Sequence, residues 1–393
     1  MHQQNKLQKI GVVTGSRADF GLLANICNLL EKEDSVDFIL LVTGSHLSRR
    51  HGNTITEIYT KNFSSVTSID LEIHGDSTHD TNRYIAQAIE KFSEYFSENK
   101  LDKLVVLGDR YEILGVSIAA SITGVRLAHI HGGEVTEGAF DEFIRHSITK
   151  MSSLHFTSHP EYKKRVIQLG EDPKTVFYVG GLGAENIELL KPSLLSNRDC
   201  EQSLGVRFKD NNIFVTYHPE TNYIEHTLKD LESLLDALSE LRETGIIFSL
   251  PNADTNFDSF ISRINEFVAE DESSRWAFAS LGQRNYFSLL QYVDAVVGNS
   301  SSGILEAPSF NIASINIGSR QKGRVKANSV IDIEADKVEI HKAIARAYST
   351  EFIKQLKQIK NPYFKEGTAR RIVDVLVTDR SANESKTFFD IKF

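Results

Sequence analysis

Cysteine is almost absent from this 393-residue chain: only Cys27 and Cys200 occur. That excludes a disulfide framework and a structural zinc cluster, and it fits a reducing compartment. Long apolar runs are missing too. The longest weakly polar stretch, 113–125, is interrupted by Ser117 and Ser121 and is too short to span a bilayer. The opening Met1-His2-Gln3-Gln4-Asn5-Lys6 lacks the apolar core of a signal peptide. A cytoplasmic protein with no membrane partner is therefore expected. No low-complexity tract appears. No Gly-x-Gly-x-x-Gly follows the first apolar segment, which argues against a nicotinamide cofactor, and no His-Glu-x-x-His is present. Positive charge is in deficit, 44 Lys and Arg against 53 Asp and Glu, net −9. Such a chain has no field for sequence-independent nucleic-acid binding.

What remains is an ordinary globular composition, 40% hydrophobic, long enough for two cores. Strand-like and helix-like segments alternate, the pattern of a parallel sheet with crossover helices. Expected strands in the first half are 10–14, 38–43, 67–73, 104–107, 127–130, 154–156 and 176–179, with helices over 84–96 and 113–122. The polar run 191–197 reads as a linker. After it the alternation restarts at 213–217, 246–250, 276–279, 295–297 and 313–317, and a final helix-like stretch covers 369–377. The expected fold is α/β, with two Rossmann-like doubly wound domains facing a central cleft. Residues 1–190 form the first, joined by a C-terminal helix at about 363–393, and 191–362 form the second.

Two loops look built to hold a phosphate: Gly15-Ser16-Arg17 and Gly298-Asn299-Ser300-Ser301-Ser302-Gly303. Each ends an apolar segment, uses small residues and opens a helix-like segment, where free amides and a positive dipole end attract anions. Two such half-sites imply a nucleotide-like ligand. Arginines recur beside the glycine turns (Arg17, Arg110, Arg145, Arg320, Arg324), either as solvated surface charge or as contacts to one small anion.

The other chemistry-bearing residues also fall at expected strand ends, where open α/β sheets bind ligands. Asp109 stands where it either caps a helix or serves chemistry. Asp141 and Arg145, four apart, share a helix face, either as a routine pair or with Arg145 holding Asp141 ionised as a general base. His129 and His131, two apart, point to one face of a strand, with no third ligand to make a metal site. His74, Asp76, His79 and Asp80 form a cluster that reads as a flexible polar loop over the site. His218 precedes Pro219, Glu220 and Thr221 at a strand end of the second half. Ser301 and Ser302 suit a diphosphate, and Glu306 either offsets a helix dipole or accepts ribose hydroxyls.

With the motifs VTGSRADFG, VLGDRYEI, HIHGGE, DEFIRHSITKM, HPET, GNSSSGILEAP and INIGSRQKGR, in this order from about residue 10 to 330, the chain resembles the hydrolysing UDP-N-acetylglucosamine 2-epimerases of bacterial sialic acid synthesis. The resemblance implies glycosyltransferase-B architecture with UDP held mainly by the second domain. It implies a small-molecule UDP-sugar as partner and a homodimer or homotetramer; from the residues themselves no cofactor and no metal are expected. Carried over by position, it makes Asp109, His131, Glu134, Asp141, Arg145 and His218 catalytic or substrate-clamping. Arg17, Arg110, Asn252, Ser301, Ser302, Glu306 and Arg320 become UDP-sugar contacts. Many members have a glutamate where this chain has His131, so either His131 or Glu134 takes its work. The implied reaction eliminates UDP to a glycal and hydrates it, with Asp109 and Asp141 as the acid–base pair, His131 assisting and Arg145 orienting. Alternatives from the same architecture are a 2-epimerase of UDP-2,4-diacetamido-2,4,6-trideoxyglucose, a glycosyltransferase, and a non-catalytic UDP-sugar sensor.

Overall fold

The computed structural model describes residues 7–48, 53–72, 75, 77–136, 140–218, 224–251, 258–381 and 386–392. The chain divides into two compact units, residues 1–185 with 365–393, and residues 186–364. It leaves the first unit within the helix Leu182–Leu190 and returns at Lys365.

The first unit is a seven-stranded parallel sheet of β1 (Gln8–Thr14), β2 (Val36–Val42), β3 (Val66–Ser68), β4 (Lys103–Leu107), β5 (Arg126–Ile130), β6 (Leu154–Thr157) and β7 (Val176–Tyr178), in the order β3-β2-β1-β4-β5-β6-β7. Its strands are apolar on both faces, because helices cover both. Ile10, Val12, Leu40, Val42, Val105 and Leu107 enter one core, which the helices Arg17–Leu30 and Thr368–Thr378 share through Leu23, Cys27, Ile372 and Leu376. Val13, Ile39, Leu41, Leu104 and Val106 enter the other, against the helices Thr78–Glu98 and Tyr111–Thr123. Each Leu or Ile so buried contributes about 1.5–3 kcal/mol.

The second unit repeats the plan with β8 (Asn211–Thr216), β9 (Thr244–Ser249), β10 (Arg275–Phe278), β11 (Ala295–Gly298), β12 (Ala313–Ile317) and β13 (Val330–Ile333), ordered β10-β9-β8-β11-β12-β13. Ile213, Val215 and Val297 face one core, and Phe214 and Val296 the other. In each sheet the strand order reverses once, between β1 and β4 and between β8 and β11. Doubly wound sheets bind ligands at the carboxyl ends of the strands beside that reversal. Both small-residue loops lie there, after β1 and after β11.

Some expectations fail locally. The strand expected over 67–73 is only Val66–Ser68, because β3 is an edge with a ladder on one side alone; beyond it Ile69 donates its amide to the Val42 carbonyl at 2.8 Å and its carbonyl accepts from Thr43 Oγ1 at 2.6 Å. β13 was not anticipated, since Asp332 interrupts its short apolar run. This edge strand accommodates the charge, with Asn316 Nδ2 donating to Asp332 Oδ1 at 2.7 Å and Lys326 Nζ at 2.6 Å. The segment 191–197, expected as a linker, packs within the second unit. The Arg284 Nε donates to the Ser193 carbonyl at 3.0 Å, and Tyr292 Oη to that of Leu195 at 2.8 Å. Ser77 and Asp80, expected in a flexible loop, form a capping box that starts the helix Thr78–Glu98. His74 and Asp76 lie outside the described residues. Among the described residues no helix is long and apolar enough to cross a membrane.

Candidate active site

In the first unit, the loops after β1, β4 and β5 and the helix Phe140–Met151 carry the candidate residues. Asp109 follows Gly108, whose φ of +71° turns the chain out of β4. The helix cap is Arg110, without a side-chain bond, so the capping reading of Asp109 is incorrect. Asp109 Oδ2 instead accepts from Arg145 Nη2. Arg145 is 2% exposed, and it also donates to the Glu134 carbonyl at 2.9 Å, Thr136 Oγ1 at 2.8 Å and Glu142 Oε2 at 3.2 Å. The anticipated Asp141–Arg145 pair does not form among the described residues. At i and i+3, Glu142 takes the guanidinium, and the rest of it reaches back to β4. Burial pushes the Asp109 carboxyl above its ordinary range, against the pull of Arg145 and with the charge of Asp141 adding to the rise.

His129 and His131 do not share a face. β5 ends at Ile130, and His131 adopts φ +67°, which reverses the alternation. The His129 Nε2–H donates to the Gly108 carbonyl at 2.8 Å, with Nδ1 3.1 Å from Thr149 Oγ1, and burial lowers its pKa to about 3. It is a neutral brace for the turn before Asp109. His131 Nδ1 stands 3.7 Å from Glu134 Oε1, and Glu134, 6% exposed, accepts from Ser158 Oγ at 2.7 Å.

At β1, Ser16 caps the helix Arg17–Leu30 by accepting from the Asp19 amide at 3.3 Å. The loop runs so close to Glu112 that a Cβ on Gly15 would lie 2.3 Å from Glu112 Oε1. The same oxygen accepts from Arg110 Nε at 2.6 Å, and Asp19 Oδ2 lies 3.7 Å from that nitrogen. Burial raises the Asp19 carboxyl to about 6 despite Arg110. Arg17 is largely exposed and pairs with Glu57 at 3.2 Å.

In the second unit, Gly298 has φ +141°, and a Cβ there would come 2.1 Å from the Thr216 carbonyl. That close approach seats Asn299, 1% exposed, beside β8. Asn299 Oδ1 accepts from the His218 amide at 2.7 Å and Nδ2 donates to its carbonyl at 2.8 Å. The Asn299 carbonyl accepts from Arg320 Nη1 at 3.0 Å and Gln321 Nε2 at 2.9 Å. Burial first, and Arg320 second, lower the His218 imidazole to about 4, so it is neutral near pH 7. The helix Ser302–Leu305 is one turn long, which removes most of the macrodipole expected there and leaves local amides and hydroxyls as donors. Glu306 ends that turn and stands before the short 3₁₀ turn Ala307–Phe310, without a side-chain cap bond to it. Its Oε2 accepts from Tyr286 Oη at 2.5 Å, and burial pushes its carboxyl up to about 7.

Asn252, Pro219, Glu220 and Thr221 lie outside the described residues. Sequence reasoning missed Glu142, Asn299 and Tyr286. The first two lay within the motifs quoted above; the i, i+3 spacing to Arg145 was the available signal for Glu142, whereas the partners of Asn299 and Tyr286 are distant in sequence. Among the described residues no group of three His, Cys, Asp or Glu side chains is arranged for a metal ion.

Two doubly wound parallel sheets, each with titratable or small residues at its strand-order reversal, define a two-domain protein of the glycosyltransferase-B class. The UDP-N-acetylglucosamine 2-epimerase family model matches residues 28–377, and the chain belongs to this family of UDP-sugar 2-epimerases. It is 40% identical over 98% of both chains to polysialic acid biosynthesis protein P7 of Escherichia coli. It is 37% identical, over 88% of both chains, to GDP/UDP-N,N'-diacetylbacillosamine 2-epimerase (hydrolyzing) of Campylobacter jejuni. Its fold matches that of UDP-GlcNAc 2-epimerase from Neisseria meningitidis bound to UDP-GlcNAc, with a TM-score of 0.73 at 17% identity, covering 95% of this chain and 100% of that one.

Proposed function

We propose that the protein is a hydrolysing 2-epimerase that converts UDP-N-acetylglucosamine and water to UDP and N-acetylmannosamine, in a cytosolic route to sialic acid. The observation that carries this reading is the buried Arg145 gripping Asp109 at the end of β4, on the helix that also bears Asp141. Burial, against the pull of Arg145, leaves the Asp109 carboxyl with a raised proton affinity within electrostatic reach of Asp141. The relationship to the E. coli polysialic acid protein supports the product class.

In the first half-reaction a base takes the C2 proton. The C2–H electron pair forms the C1=C2 bond, and the C1–O pair leaves with UDP. In the second, water adds its hydroxyl to C1 and gives its remaining proton to a carboxylate of the pair, while an acid returns a proton to C2 from the opposite face. Asp109 and Asp141 supply the acid–base pair, with His131 and Glu134 beside them and Arg145 as orienter. General acid–base help of this kind is worth about 10²–10⁴-fold. Arg17, Arg110, Ser301, Ser302, Arg320 and His218 take the growing charge on the diphosphate, and Glu306 takes the ribose. Each well-placed donor contributes about 2.7–4 kcal/mol. The assembly is a homodimer or homotetramer, and the chemistry uses no cofactor.

Proton NMR of the protein with UDP-N-acetylglucosamine in deuterium oxide tests this. The expected outcome is free UDP and N-acetylmannosamine with deuterium at C2. Intact substrate, with turnover of UDP-N,N'-diacetylbacillosamine instead, would transfer the assignment to the sugar named for the C. jejuni relative. UDP release only on adding an acceptor would make it a transferase.

A further inference from the structure

The helix Phe140–Met151 carries Asp141 and Arg145 in its first turns, and its other end is closed by a distant part of the chain. A helix leaves its last four carbonyls without partners. Here the Lys386 ammonium donates to the carbonyls of Lys150 and Ser152, both at 2.6 Å. It also bonds Glu171 Oε2 at 2.7 Å. Glu171, 2% exposed, is the hub: it also binds Lys150 Nζ of the same helix at 2.6 Å and His155 Nε2 of β6 at 2.9 Å. The tail is seated beside this hub by the Phe389 amide, which donates to the Gly170 carbonyl at 2.9 Å. Gly170 has no Cβ where one would meet the Phe388 ring at 2.3 Å, and Lys150 Nζ lies 4.8 Å above that ring. Upstream, Asp379 is tied to Arg126 at 2.7 Å and its carbonyl to Lys103 Nζ at 2.6 Å. Asp379 and residues 386–389 are thus each pinned to the first unit.

We propose that Lys386 is a positioning residue for the epimerisation chemistry, acting through the helix whose carboxyl end it closes. Its positive charge opposes the negative dipole end and its hydrogen bonds replace the water that would otherwise cap those carbonyls. Fixing that end fixes the axial position and rotation of a three-turn rod, and so the places of Asp141 and of Arg145 against Asp109. Small displacements of such groups are costly for catalysis. The inference rests on the assignment of Asp141 and Arg145 to the chemistry.

The test compares Lys386→Met, Lys386→Arg and Phe388→Ala in the full chain, reading kcat and KM for UDP-N-acetylglucosamine, UDP affinity by calorimetry, and hydrogen exchange of amides 141–151 without substrate. Phe388 is 66% exposed, so its removal spares folding should Lys386→Met fail to fold. The expected result is faster exchange along the helix and a fall in kcat for Lys386→Met approaching the roughly 10²-fold that a 1 Å misplacement produces. UDP affinity should be unchanged, and Lys386→Arg should restore most of kcat. Unchanged exchange in Lys386→Met and Phe388→Ala would overturn the strap itself. Faster exchange with unchanged kcat would instead overturn the role of Asp141 and Arg145 on which it rests. An equal loss of UDP affinity would make the effect global and overturn the positioning role.

Discussion

Asn299 holds His218 by both of its backbone groups, accepting from the amide at 2.7 Å and donating to the carbonyl at 2.8 Å. A side-chain amide is the one uncharged group that offers a donor and an acceptor at that spacing. The pairing ties the loop after β8 to the loop after β11, across the strand-order reversal of the second sheet. Replacing Asn299 by Ala removes both bonds and strands two backbone groups in a buried site. The cost is about 2–3 kcal/mol, or a fall of roughly 5–10 °C in the melting temperature of this unit. UDP affinity should fall as well, because the backbone carbonyl that holds Arg320 then sits on a loop that has lost its tether to His218. Thermal unfolding and calorimetric titration with UDP check both effects.

Arg145 and Asp109 should separate stability from catalysis. Asp109→Asn keeps a hydrogen-bond acceptor for the guanidinium but removes a titrating group, so folding should survive while UDP release slows by about 10²-fold or more. Arg145→Ala leaves the Asp109 and Glu142 carboxylates without their shared cation. Breaking a buried pair in this way costs about 3–5 kcal/mol. Arg145→Lys should rescue little, since one ammonium cannot reach four acceptors set out for a planar fork. Melting temperature and a chromatographic assay for released UDP distinguish the two classes of effect.

The architecture was legible because apolar strands buried on two faces alternate with amphipathic helices, and that rhythm survives in sequence. The strand order puts Gly15 and Gly298 beside the reversals, so a reading by small residues at strand ends found real features of the fold. Pairing was not legible. Arg145 sits four residues after Asp141, which suggests a local pair, yet its guanidinium goes to Asp109, 36 positions away. His129 and His131 look like one face until the positive φ of His131 turns the second ring elsewhere. Nothing in the sequence connects Lys386 to residue 150 or Tyr286 to Glu306. Such partners are chosen by the folded backbone, and single-residue patterns do not carry that information.

Gly298 and Gly205 both adopt positive φ, but for different reasons, and their alanine variants should differ. Gly205 ends the helix Asn197–Leu204 at φ +66° with open space where a Cβ would go. Gly205→Ala therefore carries only the conformational cost, about 1 kcal/mol. At Gly298 a Cβ would be 2.1 Å from the Thr216 carbonyl, which belongs to a central strand and cannot yield. Gly298→Ala should push β11 off β8 and destabilise the unit several times more. Denaturant midpoints of the two variants decide it. Similar midpoints would mean that the serine loop can shift without disturbing the sheet.

Glu306 makes the second unit sensitive to pH in a direction opposite to that of a salt-bridged acid. Burial raises its carboxyl from the ordinary 4.5 to about 7. Between those values the folded protein holds a proton that the unfolded chain has released, so this group makes stability fall as pH rises from 4.5 to 7 and leaves it level above. Glu306→Gln keeps an acceptor for Tyr286 and removes the proton difference. The variant should therefore lose less melting temperature than the parent between pH 5 and pH 7.5. UDP should show the reverse trend in the parent. A ribose hydroxyl donates best to an ionised carboxylate, so affinity should rise through about pH 7, and the rise should vanish in Glu306→Gln. A parent protein whose UDP affinity is flat across that range would place the ribose elsewhere and leave Glu306 as a structural partner of Tyr286.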